Sequence, residues 1–214
     1  VLLRVMTHEI RNSVTPIASI SGRPVKHRTV LPYPAREDLK LSTARRDLTA
    51  FSIRTIFDTL PEPEYKTVSI QALFTKLERL LQAEPRSERV VYCDGKVDRS
   101  TGKELQVYGD ANLLTLALIN LIRNALQAVE GQEDGIVRVD TCAGATGHLL
   151  IIITDNGPGI PPERLSAIFT PFFSTKSGGS GIGLPISQRI MQLHGGQLSV
   201  SSIPNVRTEF RMEF

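Results

Sequence analysis

The spacing of apolar residues changes once along the chain, near residue 60. Before that point, apolar residues recur every three or four positions over residues 1–22 and 36–59, which predicts two amphipathic helices. A segment with three prolines, residues 22–35, predicts the turn between them. Two helices of this size cannot bury their apolar stripes alone, so we expect two such hairpins to pair as a four-helix bundle in a homodimer.

After residue 60, short apolar segments alternate with helical ones. Strands are predicted at 66–70, 90–93, 105–108, 136–141, 148–154, 197–201 and 208–214, and helices at 71–83, 111–130 and 184–193. Pro61-Glu62-Pro63 ends the hairpin, so the predicted domains are residues 1–62 and 63–214. The predicted fold class is therefore α+β: a helical hairpin, then an α/β sandwich with helices on one face of a mixed sheet.

Composition narrows the classes of function. The net charge of +3 carries no concentrated basic run, so nucleic-acid binding is not indicated. Cys93 and Cys142 lack metal-ligand spacing and fit a reducing compartment better than a disulfide framework, which predicts a cytoplasmic location. No run of about 18 apolar residues is long enough to span a membrane.

The first residues, V-L-L-R-V-M-T-H-E-I, begin within an apolar pattern and without an initiator Met. No small-residue cleavage site follows them, so they do not resemble a signal peptide. We therefore interpret the chain as the C-terminal part of a longer protein, with a sensor or membrane segment expected upstream.

Two glycine clusters, at 157–159 and 178–183, follow the apolar strand at 148–154. Glycines let the backbone approach a ligand closely and adopt positive φ. The second cluster opens a helix, whose N-terminal N–H groups and dipole favour phosphate. The arrangement predicts a nucleotide pocket.

Asp155 stands between that strand and the first glycine cluster. A strand-end aspartate is often a simple cap, but no helix begins at once here. Residues 156–159 form a loop that must pass close to a planar group. A carboxylate at this point can accept a hydrogen bond from an exocyclic amine, which would select adenine over guanine.

Asn120 and Asn124 lie one turn apart on an otherwise apolar helix. An unpaired buried amide costs about 1–3 kcal/mol, so both side chains need partners. A cross-helix hydrogen bond would satisfy them structurally; alternatively, their oxygens face Mg²⁺, which prefers oxygen ligands and phosphates. The helix alone does not decide between these, and the glycine-rich phosphate site favours the metal.

His8 lies in the first predicted helix, with Asn12 one turn later on the same face and Glu9 about 100° round from it. A lone helical histidine is usually an ordinary surface or core residue. The adjacent acid and the amide one turn later favour a chemical role without establishing it.

Together these segments resemble bacterial sensor histidine kinases. Four of them are similar to that family's N, G1, F and G2 boxes, in its order and spacing: N-L-I-R-N-A at 120–125, D-N-G-P-G-I at 155–160, F-T-P-F-F-S-T-K at 169–176 and G-S-G-I-G-L at 179–184. H-E-I-R-N at 8–12 resembles the phosphoacceptor box, and the short lid and T-P-I are most similar to the nitrogen-regulation type. The resemblance covers nearly the whole chain and implies a dimeric hairpin followed by a Bergerat-fold ATP-binding domain.

The resemblance implies ATP and Mg²⁺ as cofactors. Asn124 would be the principal Mg²⁺ ligand, with Asn120 beside it near the phosphates, and Asp155 would bind the adenine amine. Two roles stay open for Lys176: contact with the β- or γ-phosphate, and a solvated side chain in a Gly/Ser loop. The other cofactor-binding residues implied are Gly157, Gly159, Gly179, Gly181, Gly183, Leu184 and Thr208. Three phenylalanines would anchor the lid or simply pack in the core: Phe169, Phe172 and Phe173.

The resemblance also implies the chemistry. His8 would attack the γ-phosphate through an unprotonated ring nitrogen, and Glu9 would hold or take the proton of the other nitrogen as a general base. The phosphoryl group would then pass to an aspartate of a response-regulator receiver domain. Asn12 matches the position that can orient water for dephosphorylating that partner.

Two residues depart from the family pattern. Ser13 stands where a proline usually follows the acceptor box, and Arg207 stands where a glycine usually precedes Thr208. The second change would alter the floor of the adenine pocket or merely shift a turn. Two competing hypotheses are a catalytically silent adaptor, which would bind no ATP, and an ATPase or serine kinase of the anti-sigma type, which would lack the acceptor hairpin.

Overall fold

The computed structural model describes residues 60–93, 104–143, 148–175 and 179–214. From Glu62 to Phe214 they belong to one compact unit. The predicted hairpin, its four-helix bundle and the acceptor residues His8, Glu9 and Asn12 lie outside the described residues, as does Lys176. The domain division at residues 62 and 63 stays a prediction.

The described elements follow the predicted order, with ends that differ by a few residues. The helices are α1 (Ile70–Leu81), α2 (Ala111–Ala128) and α3 (Gly183–Leu193). The strands are β1 (Lys66–Ser69), β2 (Val90–Tyr92), β3 (Gln106–Gly109), β4 (Val137–Ala143), β5 (Leu149–Asp155), β6 (Gln197–Ile203) and β7 (Arg207–Glu213). None of these helices is long and apolar enough to cross a membrane.

The strands form two sheets rather than the single mixed sheet that the pattern predicts. Five of them lie in the order β2-β4-β5-β7-β6, with β2 parallel to β4 and the other neighbours antiparallel. The remaining two, β1 and β3, pair antiparallel with each other. Each of these leads within one residue into a helix, α1 and α2 respectively, so their pairing holds the starts of both helices together.

The helices cover one face of the large sheet because each strand alternates apolar and polar positions. In β5 the side chains of Leu149, Ile151, Ile153 and Asp155 are buried, while those between them are half-buried. In α1, apolar residues at three- and four-residue spacing form the buried stripe. Full burial of one such side chain contributes about 1.5–3 kcal/mol, so this face stabilises the domain.

Helices α2 and α3 run antiparallel and fix the position of the predicted site. The backbone N–H of Asp110, which caps the start of α2, lies 2.9 Å from Nε2 of His194 at the end of α3. At the opposite end, Asn120 Nδ2 lies 3.4 Å from the carbonyl oxygen of Gly183, the first residue of α3. Asn120, one of the two predicted asparagines of α2, therefore lies beside the N-terminus of α3.

Candidate functional site

Asp155 ends β5 on the buried face of the sheet. Its side chain is 3% exposed, and Oδ1 accepts a hydrogen bond of 3.0 Å from the backbone N–H of Gly157. Thr208 of β7 is its direct cross-strand partner and is equally buried. Directly opposite partners share a face of the sheet, so the predicted residues Asp155 and Thr208 lie side by side.

The loop of residues 155–160 is held from both sides. On one side the amide of Asn156 accepts from the Ile136 N–H at 2.8 Å and donates to the Asp134 carbonyl at 2.9 Å. On the other side the N–H of Asn205, in the β6–β7 turn, donates to the Pro158 carbonyl at 2.8 Å. These contacts fix the path of the loop past the end of α2.

The two glycines of this loop are required by close contacts. A Cβ on Gly157 would lie 2.8 Å from Asp155 Oδ1 and 3.0 Å from the carbonyl oxygen of Ala128. Gly159 has a φ of +74°, and a Cβ there would lie 2.8 Å from the Ile203 carbonyl oxygen. The fold itself therefore requires glycine at both positions, whether or not a ligand binds there.

Asn120 and Asn124 are half-buried on α2. Asn120 makes the long contact to Gly183 at 3.4 Å. Among the described residues, none forms a hydrogen bond with the Asn124 side chain. Arg123, between them in sequence, points elsewhere, because its guanidinium pairs with Glu84. The cross-helix alternative therefore accounts for Asn120 in part and for Asn124 not at all.

The second glycine cluster is joined to the phenylalanine segment before it. The N–H of Phe172, which has a φ of +67°, donates to the Gly181 carbonyl at 2.9 Å. Gly181 has a φ of +65°, and a Cβ there would lie 2.5 Å from the Phe172 carbonyl carbon. Phe169 and Phe173, like Phe172, are half-buried, so all three contact the domain without being full core residues.

Among the described residues, the N-terminus of α3 has no side-chain cap. Its N-cap, Ile182, supplies no side-chain hydrogen bond to the first turn, which Gly183 and Leu184 begin. A Cβ on Gly183 would meet Asn120 at an ordinary 3.6 Å, so packing within the protein does not demand glycine here. An uncapped helix start with room for backbone approach suits an anionic ligand. Gly179, the first described residue of the cluster, is exposed.

Comparison with known proteins agrees with this geometry. The family model described as histidine kinase-, DNA gyrase B- and HSP90-like ATPase matches residues 109–214. Residues 109–214 are therefore similar to that ATPase family. The matched segment begins at the end of β3 and contains Asn120, Asn124 and both glycine clusters.

The relatives of this ATPase-domain chain include sensor kinases. It is 31% identical to the sensor histidine kinase ZraS of Salmonella typhimurium, over 92% of this chain and 42% of that protein. It is also 31% identical to the sensory histidine kinase/phosphatase NtrB of Vibrio alginolyticus, over 97% of this chain and 60% of that protein. The predicted resemblance to sensor histidine kinases is confirmed, and the chain spans about half the length of these relatives.

Solved structures confirm the fold of the ATPase domain. The catalytic domain of histidine kinase ThkA is 28% identical, with a TM-score of 0.58, and covers 71% of this chain and 95% of its own length. ThkA in complex with the response regulator protein TrrA covers 100% of this chain at 24% identity and a TM-score of 0.58. The α/β sandwich of the Bergerat type is therefore established for this domain.

Among the described residues, Asn124 is a candidate ligand for Mg²⁺. The described residues contain no group of three or more His, Cys, Asp or Glu side chains that could hold a metal. Mg²⁺ commonly binds through one or two side-chain oxygens and takes its other ligands from phosphates and water. Asn124, half-buried one turn after Asn120 and without a described hydrogen-bond partner, fits that pattern.

Sequence reasoning missed residues that shape this site through strand pairing. Ser202 of β6 is the direct partner of Thr208, and its hydroxyl lies 3.2 Å from the Thr208 hydroxyl. The sequence pattern predicts Asn156 only as part of a loop and does not predict the two hydrogen bonds of its side chain. The predicted strand at 197–201 stops one residue before Ser202, and apolar alternation alone does not determine which residues of two strands pair. The departure at Arg207 leaves that pairing in place, since its side chain is exposed.

A groove of about 600 Å³ lies elsewhere in the ATPase domain. Its walls come from α1 and the residues flanking it: Ser69, Gln71, Ala72, Thr75, Lys76, Arg79, Leu80 and Glu104. None of the predicted site residues that the structure describes lines this groove.

Proposed function

We propose that this chain is the catalytic core of a sensor histidine kinase, which transfers a phosphoryl group from ATP to His8 and then to a response-regulator aspartate. One observation carries the proposal. The start of α3 lies beside Asn120, and the loop that follows the buried Asp155 lies against Ala128, two turns further along α2. Asn120, Asn124 and Ala128 are spaced by four residues, so they share one face of that helix. An adenine bound at Asp155 and phosphates bound at the start of α3 would place both asparagines near the phosphate groups.

At the adenine end, Asp155 would accept a hydrogen bond from the exocyclic amine. Its carboxylate is held by the Gly157 N–H and lies beside the Thr208 hydroxyl, so it needs no rearrangement to do so. Gly157 and Gly159 would form the wall of the base pocket. A guanine would present a carbonyl oxygen at this position, and two acceptors facing each other would repel.

At the phosphate end, the backbone N–H groups from Gly179 to Leu184 would meet the phosphate oxygens, with Lys176 as a further cation. Asn124 would hold Mg²⁺, with Asn120 beside it. When bound, the ion neutralises negative charge on the phosphates. The absence of an N-cap hydrogen bond in α3 supports this role, since those N–H groups then have the ligand as their partner.

In the transfer step, the lone pair of one ring nitrogen of His8 forms a bond to the γ-phosphorus. The bond from that phosphorus to the bridging oxygen breaks, and ADP leaves with the electron pair. Glu9 takes or holds the proton of the other ring nitrogen. The phosphohistidine then donates its phosphoryl group to a carboxylate oxygen of the regulator.

The hairpin would dimerise as a four-helix bundle and present His8. We also propose a phosphatase activity, in which Asn12 orients water against the phosphorylated regulator. The relative NtrB of Vibrio alginolyticus is a sensory histidine kinase/phosphatase, which supports this second activity. The catalytic and binding residues assigned here are His8, Glu9, Asn12, Asn120, Asn124, Asp155, Lys176, Thr208 and the glycines of both clusters.

The test is incubation of the protein with γ-labelled ATP and Mg²⁺. We expect acid-labile label on the wild-type protein, none on His8→Gln, and wild-type label on His27→Gln, the matched control in the predicted turn at 22–35. Label that persists in His8→Gln would refute the acceptor assignment. Failure of the wild-type protein to bind ATP would instead favour the silent adaptor.

A further inference from the structure

Ser202 completes a polar row across three neighbouring strands. Ser202 of β6 pairs with Thr208 of β7, and Thr208 pairs with Asp155 of β5. Because direct partners share a face, all three side chains lie on the face that the helices cover. Apolar residues occupy that face further along the same strands, so the row marks where the hydrophobic core ends and the base pocket begins.

The Ser202 hydroxyl makes three contacts at this point. Its oxygen accepts from the backbone N–H of Ile160 at 2.8 Å and donates its proton to the Arg207 carbonyl at 3.0 Å. The Thr208 hydroxyl lies 3.2 Å away and contacts the same oxygen. A serine hydroxyl has one proton and two lone pairs, and a carbonyl can only accept. With its proton directed to Arg207, Ser202 therefore receives the proton of Thr208.

We propose that Ser202 is a positioning residue for the adenine base, an inference that rests on the proposed function. Its hydroxyl fixes the end of loop 155–160 to β6 and sets the orientation of the Thr208 hydroxyl next to Asp155. Directing the Thr208 proton toward Ser202 leaves lone pairs of Thr208 facing the pocket. Those lone pairs are acceptors, which match the amine that Asp155 would bind.

The contacts around Gly159 explain why this one hydroxyl matters. A Cβ on Gly159 would lie 3.1 Å from Ser202 Oγ and 2.8 Å from the Ile203 carbonyl oxygen, so loop 155–160 already contacts the end of β6. Without the hydroxyl, the Ile160 N–H loses its acceptor. The hydrogen bond from the Asn205 N–H to the Pro158 carbonyl would then hold the loop against the β6–β7 turn.

The test compares three variants of the full chain: Ser202→Ala, Ser202→Thr and Ser201→Ala. Ser201, the next residue, is exposed on the other face and is the matched control. Threonine keeps the hydroxyl in a side chain that strands accept. The measurements are the ADP dissociation constant by calorimetry, the KM and kcat of autophosphorylation, and the thermal midpoint.

We expect Ser202→Ala to raise both the ADP dissociation constant and the KM for ATP roughly three- to tenfold, with kcat within twofold of the wild type. Ser201→Ala and Ser202→Thr should match the wild type within about twofold. A lower thermal midpoint with unchanged ADP affinity would overturn the proposal, because it would make Ser202 a structural residue alone. A wild-type protein that binds ADP without phosphorylating itself would refute the proposed kinase function and leave the ADP comparison valid.

Discussion

The two ends of the α2–α3 pair are built in opposite ways. At the end near Asp110 and His194, buried and part-buried polar groups are hydrogen-bonded to each other. At the other end, near Asn120 and Gly183, the described hydrogen bonds between the helices are both long: 3.4 Å from Asn120 to the Gly183 carbonyl and 3.5 Å from the Ser187 hydroxyl to the Ala117 carbonyl. We call the hydrogen-bonded end near Asp110 and His194 the fixed end, and the end near Asn120 and Gly183 the open end.

Asp110 organises the fixed end. One carboxylate oxygen accepts from the N–H groups of Asn112 and Leu113, which caps α2, and the other accepts from the N–H of Glu64. Its own N–H donates to Nε2 of His194. Because Nδ1 of that ring lies 2.7 Å from the Ile190 carbonyl, Nδ1 carries the proton and Nε2 is free to accept.

The open end keeps its polar groups for a ligand. Asn124 has no described partner, and the first turn of α3 has no side-chain cap. Leaving such groups without an internal partner lowers stability, which the fixed end offsets. A site that must bind and release nucleotide therefore lies at the less constrained end of a well-anchored helix pair.

The largest effect is expected from Asn124→Ala, at the open end. Loss of the proposed Mg²⁺ ligand should reduce autophosphorylation roughly 100-fold or more, since groups that stabilise charge in transfer contribute on that scale. The thermal midpoint should not fall, because Asn124 makes no described hydrogen bond. Labelled ATP and thermal melting measure the two quantities.

The matched control is Asn112→Ala, the same substitution in the first turn of the same helix. Its side chain is exposed and bonds Lys76 Nζ at 2.7 Å. It should leave the phosphorylation rate unchanged. Equal rates for Asn124→Ala and Asn112→Ala would contradict the Mg²⁺ assignment.

The next largest effect is expected from Asp110→Ala, at the fixed end. Removal of the N-cap and of the acceptor for Glu64 should lower the free energy of unfolding by about 2–3 kcal/mol. Urea denaturation measures it, with the exposed Asp134→Ala as control. A loss no larger than that of the control would mean that the fixed end does not stabilise the domain.

Asp110 should also give stability a pH dependence. Burial alone raises its pKa, but hydrogen bonds from the N–H groups of Glu64, Leu113 and Asn112 lower it by more, so the net pKa is below the ordinary value. The folded state thus favours the carboxylate. Its contribution should be present above about pH 4, the unfolded pKa, and lost as pH falls through the lower folded pKa.

Urea midpoints between pH 2 and pH 6 measure this dependence. Asp110→Asn, which cannot ionise, should flatten the acid limb of the curve relative to the wild type. The Asp134→Asn control should keep the wild-type slope. An identical slope in Asp110→Asn would assign the acid sensitivity to other groups.

The two ends also differ in what the sequence could predict. Asn120, Asn124 and the glycine clusters were found because helical spacing and glycine content are local signals. The hydrogen bond from the Asp110 N–H to His194 joins residues far apart in sequence, and no local sequence pattern around either residue predicts it. The separate β1–β3 sheet and the row from Asp155 to Ser202 depend on strand pairing, which apolar alternation alone does not determine.

A smaller effect is expected from Gly109→Ala. A Cβ on Gly109 would lie 2.5 Å from Cδ2 of His194, so the ring must move away from the Asp110 N–H. We expect a loss of about 1–2 kcal/mol in unfolding free energy. In the double variant with His194→Ala the clash is absent, so the combined loss should be less than the sum of the two single losses. Additive losses would show that the two residues do not interact.

The smallest effect is expected from Tyr65→Phe, which removes one exposed hydrogen bond from the fixed end. The Tyr65 hydroxyl donates to the Leu193 carbonyl at 2.6 Å, while its ring lies 5.6 Å from that of His194 and 5.9 Å from that of Tyr108. Phenylalanine keeps both ring contacts, so the unfolding free energy should fall by about 0.5 kcal/mol. Tyr108→Phe, the stacked neighbour, should have no effect. Nucleotide affinity should be unchanged in both variants, since the open end keeps all its groups. A change in ADP affinity in Tyr65→Phe would mean that the two ends of the helix pair are coupled rather than independent.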